Sequence, residues 1–500
     1  MSGLLDIPWA AWCLLLPLFA AVASLLTGPR LASRLAPLFA LATVLATAGV
    51  VVRVLQSGPF RHAVGGWGAP LGIDFHVDGF SALMLAMTAV VAAVITVYAR
   101  AYFSNDHGSG SGAYFWPLWF FLWGGLHALF LTADIFNFYV TLEVVSLSAV
   151  ALVALSGTPT GVVASMRYLL TALTGSLFYL LGVGLLYAQY GVLDMDLLRG
   201  VVEVNPATWA AYVCILLGLL IKTALFPLHV WLPPAHSSAP APVSAALSAL
   251  VIKGSFYILL RFHFDLLPHE MLVASSVLLG ALGMTAVIWG SLQALRQPRL
   301  KLIVAYSTVA QIGYLFLLFP LCFALAEPGD LWPTKAWAGG IYHALSHAFA
   351  KASLFLAAGA VLQAAGGDTL VHLRGLGERR PVIATALALA SISIMGLPPS
   401  GGFVGKWLLL VAALHAGQWW WVVGILLGGL LAAAYSFRFL RELFRPAPEN
   451  LVLHEEPRML GYTALALALF TLLLGLAALI PFNLLSQGAP FPPNAFLEAL

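Results

Sequence analysis

Charge is what this sequence has least of. Asp, Glu, Lys and Arg make up 9% of the 500 residues, against 61% hydrophobic. A soluble domain carries about 25% charged residues. That shortage excludes a water-soluble globular domain and leaves a polytopic membrane protein, helix packed on helix in lipid. The net charge of +3 is too small to argue for nucleic acid. Cysteine is also scarce. Cys13, Cys214 and Cys322 are isolated, odd in number and set in apolar runs, so neither a disulfide framework nor a metal site follows. They read as small core residues. No nucleotide-binding, cluster or flavin motif occurs, so no cofactor and no chemistry of the chain's own is expected. The run from Trp9 to Leu26 has no basic n-region and no clear cleavage site, despite Ala20, Ala21 and Ala23. It reads as a first membrane helix and not as a signal peptide.

What the sequence has in abundance is apolar runs of about 20 residues, the length that crosses a bilayer. They predict an all-α membrane protein of about fourteen spans, at 8–27, 33–55, 80–101, 113–132, 134–156, 164–190, 208–226, 242–263, 271–295, 300–325, 337–364, 382–413, 418–442 and 460–482. The longest polar stretches fall near 57–79, 326–336 and 443–459. Basic residues test the count. The odd-numbered loops and adjoining helix ends hold fourteen: Arg30, Arg34, Arg100, Arg167, Arg296, Arg299, Lys301, Arg374, Arg379, Arg380, Arg438, Arg441, Arg445 and Arg458. The even loops hold five: Arg53, Arg61, Arg199, Arg261 and Lys335. Basic loops stay cytoplasmic, so both termini are expected outside, in a bacterial inner membrane. One span more or fewer would scramble this asymmetry.

Four lysines lie inside the apolar runs: Lys222, Lys253, Lys351 and Lys406. Glu143 lies in a fifth. A charge at bilayer depth costs roughly 2.5–3.5 kcal/mol on insertion scales. Five of them on separate helices point to a proton or ion path. Asp134 and Glu143 are nine residues apart, hence on opposite sides of a helix at 100° per residue. Asp134 lies near the helix end, so Glu143 is the interior candidate. Alone it would be driven towards protonation, and a nearby lysine would hold it ionised. Lys222 could instead snorkel to the interface; Lys253 sits too near mid-run for that. Both could cycle through the neutral amine.

His343, His347 and Lys351 fall at i, i+4 and i+8, a ladder ~12 Å long on one face. Histidine exchanges protons near neutral pH. Two histidines at i, i+4 also suit zinc, but no Glu or Cys accompanies them, and no metal is assigned. Tyr306, Ser307, Thr308, Gln311 and Tyr314 could hold relay waters or act as interhelical glue. Asp74 and Asp78 look solvated and are given no role.

Two segments break the helical pattern at membrane depth. One runs from Lys222 through Pro227, His229, Pro233 and Pro234 to His236. The other runs from Gly396 through Pro398, Pro399, Gly401, Gly402 and Gly405 to Lys406. Proline removes a donor and glycine loosens what remains. Such backbone is tolerated only inside protein or along a wet cavity. Paired interruptions, each with a lysine, mark repeats with discontinuous helices. Ordinary proline kinks are the plainer alternative. From this loosened backbone Lys406 is expected to hand its proton to one aqueous face.

These motifs resemble the proton-conducting antiporter family, which includes antiporter-like subunits of respiratory complex I, membrane-bound hydrogenases and Mrp cation/proton antiporters. The residues that carry the likeness are Asp134-Ile-Phe-Asn137 to Glu143, Lys222 to His236, Lys253, Ala305-Tyr306-Ser307-Thr308, His343 to Lys351, and Gly401-Gly402-Phe403-Val404-Gly405-Lys406. The likeness covers roughly 65–450. It implies fourteen core helices, with inverted repeats of helices 4–8 and 9–13 and discontinuous helices 7 and 12. It also implies a glutamate–lysine pair in one half-channel and a central lysine between the halves. The expected divisions are 1–110, 111–263, 264–445 and 446–500.

The Gly-Phe-Val-Gly-Lys run, the Gly72-Ile-Asp-Phe stretch and the overall length resemble the D-type component of the Mrp antiporters. No long lateral helix or large extension is expected after the last span. The wording from Phe138 to Glu143 departs from that pattern and keeps a complex-I-like or hydrogenase-like proton-pumping subunit open. The expected function is proton movement coupled to sodium or other cations, with further membrane subunits as partners. A stand-alone small-molecule carrier and a structural scaffold are the remaining readings. Vesicle flux measurements separate them.

Overall fold

The computed structural model describes residues 7–104, 111–323, 329–448, 452–492 and 496. Positions 324–325 of the tenth predicted span, part of the polar stretches near 326–336 and 443–459, and most of the final tail lie outside the described residues.

Helices follow one another in chain order: α1 (Trp9–Thr27), α2 (Pro29–Ser57), α3 (Gly79–Tyr102), α4 (Ser111–Leu131), α5 (Ile135–Ala154) and α6 (Pro159–Tyr190). Then come α7 (Pro206–Thr223), the short α8 (Leu232–Ser238), α9 (Ala241–Leu266), α10 (His269–Arg296), α11 (Leu300–Phe323) and α12 (Trp332–Ala365). The chain continues with α13 (Pro381–Met395), α14 (Gly401–His415), α15 (Trp419–Leu443), α16 (Arg458–Leu476) and the short α17 (Leu479–Leu485). Among the described residues thirteen helices are long and apolar enough to cross a membrane. α13 and α14 are individually too short, and together they occupy the one predicted span 382–413. The fourteen expected places are therefore filled: this is a multi-pass all-α membrane protein. Local signals set the starts. Asp78, Asp134, Thr158, Asn205 and Ser400 cap α3, α5, α6, α7 and α14 with side-chain oxygens, supplying acceptors for amides that a helix start leaves open.

Loop contacts confirm the alternation of faces. Loops 2 and 4 meet at the Phe75–Thr132 bridge, and loops 4 and 6 at Asp134–Asp194. The backbone of Gln487, past the last span, accepts from Gly79. A two-stranded hairpin, β1 (Phe60–Ala63) and β2 (Asp74–Val77), belongs to this even-loop face. On the opposite face Arg299 bridges Thr369, His454 bonds Ala364, and Gly375 bonds Arg445, joining loops 9, 11 and 13.

The middle of the bundle is α9 and α12. The most apolar stretch of α9 is wholly buried, and that of α12 nearly so. By contrast α1, α2, α6, α15 and α16 keep lipid-facing apolar sides. α9, α12 and α11, itself as buried as α12, are the helices furthest from lipid, and α9 and α12 carry Lys253, His343, His347 and Lys351.

Candidate functional site

Glu143 and Lys222 meet across α5 and α7. The Lys222 ammonium lies 3.3 Å from Glu143 Oε1 and donates to Ser146 Oγ at 2.8 Å. Ser146 is three residues on from Glu143, so one face of α5 supplies both acceptors. The Ser176 hydroxyl of α6 also donates to Glu143. Lys222 is buried and does not snorkel; Glu143 is half-buried. Lys222 lies in the last turn of α7, where the helix dipole favours a cation. Past Thr223 the chain turns through Ala224 in the left-handed region, φ 57°. The Ile221 carbonyl accepts from the Ala224 amide at 3.2 Å and from the Trp231 indole at 3.0 Å, which is how broken backbone is made tolerable at this depth.

Lys253 is buried and has no carboxylate partner among the described residues. Its ammonium meets His347 Nδ1 at 2.7 Å and donates to the Ser248 carbonyl at 2.5 Å. Ser248 belongs to a π turn, Leu247–Val251, inside α9. Such turns recur at functional sites, and no pattern of apolar residues announces one. Ser248 Oγ lies 2.8 Å from Thr308 Oγ1 of α11. One residue back, Ser307 accepts from Lys351, which also donates to the Val304 carbonyl at 3.0 Å. Tyr306 is half-buried, and no hydrogen bond joins it to the lysines among the described residues.

The α12 ladder is as the spacing predicts. The His343 and His347 rings lie 6.0 Å apart and nearly parallel. Both nitrogens of His343 and Nε2 of His347 are buried without hydrogen-bond partners. A buried polar atom left so costs about 1–3 kcal/mol, and water is the natural partner to fill such a place. Tyr314 lies 5.6 Å from His343, and the Lys406 ammonium lies over the same Tyr314 ring at 4.3 Å. Lys406 donates to the Ile394 carbonyl at 2.7 Å, at the C-terminal end of α13. In both broken spans, then, a lysine serves the negative end of a half-helix.

His236 is buried against Phe355 at 4.6 Å, and both its nitrogens are unpartnered. It therefore sits beside the row, next to the turn of α12 that follows Lys351. His229 stacks on Phe226, which lies against Trp289 of α10, towards the periphery.

Three expectations change. Asp74 and Asp78 are buried, not solvated. Arg61 reaches Asp74 at 3.3 Å, and Arg261 clamps Asp78 at 2.6 Å while also bonding Asp265 at 3.0 Å. The signal was hidden because Asp78 and Arg261 are distant in sequence. Lys301 is a fifth buried lysine, donating to the Ala239 carbonyl at 2.6 Å; its polar neighbours made it read as a loop residue. Gly396, φ 82°, ends α13, but Gly402 and Gly405 serve close packing. A Cβ on Gly402 would meet the Ser393 carbonyl, and one on Gly405 would lie 2.7 Å from the His343 amide. They let α14 press against α13 and α12.

A family model described as NADH:quinone oxidoreductase/Mrp antiporter, transmembrane, matches residues 132–432. The chain belongs to this family. A second model, described as complex I chain 5 N-terminus, matches residues 67–111. Within the family, the chain is 35% identical to the N-type component of the NADH-quinone oxidoreductase of Desulforudis audaxviator, over 86% of this chain and 85% of that protein. It is 28% identical to the D-type component of the Na(+)/H(+) antiporter of Bacillus subtilis, over 97% and 98%. A chain of the Mrp complex structure from Dietzia sp. DQ12-45-1b superposes with a TM-score of 0.86 at 25% identity, covering 100% of this chain and 99% of that one. The family match embraces Glu143, Lys222, Lys253, the α12 ladder and Lys406.

Proposed function

We propose that the chain is a proton-translocating subunit of an Mrp-type cation/proton antiporter. It works with other membrane subunits in a bacterial inner membrane, both termini outside. Protons pass by way of Glu143, Lys222, Lys253, His347, His343, Lys351 and Lys406. The observation that carries this reading is the 2.7 Å contact of Lys253 with His347. Two exchangeable bases meet there in a wholly buried part of the bundle, with no carboxylate among the described residues to fix their charge. His229, His236, Ser307 and Thr308 are auxiliary, and His236 is the best placed to connect the row towards the odd-loop face. Helices 4–8 (111–263) and 9–13 (264–445) act as two half-channels, 1–110 and 446–500 as flanking helices.

A second reading, a proton-pumping subunit of a complex-I-like oxidoreductase, draws on the 35% identity to the Desulforudis oxidoreductase component. The test is fluorescence dequenching in everted vesicles holding the assembled complex. Sodium-dependent proton flux without a redox substrate is expected, and Glu143→Gln should abolish it while assembly stays normal. Flux that appears only with a reductant and quinone would move the chain to the second reading. Wild-type flux in Glu143→Gln would remove Glu143 from the path.

A further inference from the structure

On the odd-loop face α13 and α16 begin side by side and leave an open cleft of ≈ 580 Å³. Arg379, Arg380 and Arg458 line it, together with Glu455, Glu456 and Tyr462. Arg380 is committed: it pairs with Glu456 at 2.7 Å and donates to the His454 and Arg379 carbonyls, fixing one wall. Arg379 and Arg458 are exposed and unpaired among the described residues, and Glu455 is the one carboxylate left over. Neither helix has a side-chain cap at its N-terminus. Val382 and Ile383 at the start of one helix and Arg458 at the start of the other line the cleft, where the first amides of a helix are left open. Two helix N-termini and two free guanidinium groups on one concavity form a site for an oxyanion.

The surroundings say which oxyanion. Tyr462, 54% exposed, stands at the rim, and Leu469, Leu473 and Leu476 continue its face down α16, all lipid-exposed. A polar head held above an apolar stripe is the shape of a phospholipid, and basic pockets between helices on the cytoplasmic side suit anionic lipid. We propose that this cleft binds the phosphate of an anionic phospholipid, with an acyl chain along the Tyr462–Leu476 face.

The probes are phosphatidylglycerol, phosphatidylcholine and glycerol phosphate, titrated onto the delipidated full chain and read by native mass spectrometry. Phosphatidylglycerol is expected to bind well ahead of phosphatidylcholine. The double variant Arg379→Ala/Arg458→Ala should weaken it about thirtyfold, from the usual gain per surface arginine. Arg34→Ala, an exposed arginine on the same face, should leave it unchanged, and Glu455→Gln should tighten it. Retention by the double variant, equal loss with Arg34→Ala, or weaker binding by Glu455→Gln would overturn the proposal. Glycerol phosphate binding as tightly as the lipid would make this a free-anion site and overturn the lipid assignment. So would protection of both arginines from phenylglyoxal in the lipid-free assembled complex, which would put a partner subunit there.

Discussion

Lys406 shows what a cation needs at bilayer depth. It has no carboxylate among the described residues, only the Ile394 carbonyl and the face of Tyr314. A charge so weakly compensated is costly at this depth, which fits the proton release proposed for it. Lys406→Arg keeps the charge, but guanidinium does not deprotonate in proteins, so flux in vesicles should be lost. Lys406→Glu can still titrate and should keep part of it. Normal flux in the arginine variant would make Lys406 a fixed charge. At the other end of the row, Lys222→Ala leaves Glu143 with the Ser176 hydroxyl and no cation beside it among the described residues. Flux should fall as far as in Glu143→Gln. Flux that survives Lys222→Ala but not Glu143→Gln would show that the pair is not the working unit.

At the scale of the element, the Gly401–Gly405 run is a packing surface. A Cβ on Gly405 would press on the His343 backbone, which cannot move like a flexible side chain. Gly405→Ala should cost about 1–3 kcal/mol, as overpacking does, and lower the thermal midpoint in detergent while the lysines remain in place. An unchanged midpoint would mean that α14 is not held against α12. Most elements were legible because length and apolarity are written along the chain, and the two broken spans because proline and glycine interrupt them. The π turn before Lys253 was not, since Leu247–Val251 has ordinary helix formers and its geometry comes from what surrounds it. Glu143, Lys222 and the α12 ladder were legible from charge in apolar context, and the pairing of the first two through the family resemblance. The purpose of the glycines, the burial of Asp78 and Lys301, and the Ser248–Thr308 and Ser307 contacts depend on partners far away in sequence.

For the whole molecule, Arg261 and Asp78 tie the end of α9 to the start of α3 on the even-loop face. Burial, the largest influence, would raise the Asp78 carboxyl, but the Arg261 guanidinium together with His76 and the Ser81 amide outweighs it and holds the acid below its ordinary range. A depressed folded value gives stability that is present above the unfolded value, near 3.8, and is lost as pH falls through the folded one. Asp78→Asn should lower the midpoint at pH 7 and flatten its acid dependence below about pH 4. An acid limb identical to the wild type would place the titrating group elsewhere.

At the centre of the same bundle, an N–H···N contact at 2.7 Å between Lys253 and His347 needs one donor and one acceptor. Two donors facing each other at that distance would repel, so the joint has room for one hydrogen between its two nitrogens. On the proposed path it is a turnstile with one place. A newcomer would enter only when the occupant had left, and a membrane crossed through such a joint would be metered where an unbroken file of water would short-circuit it.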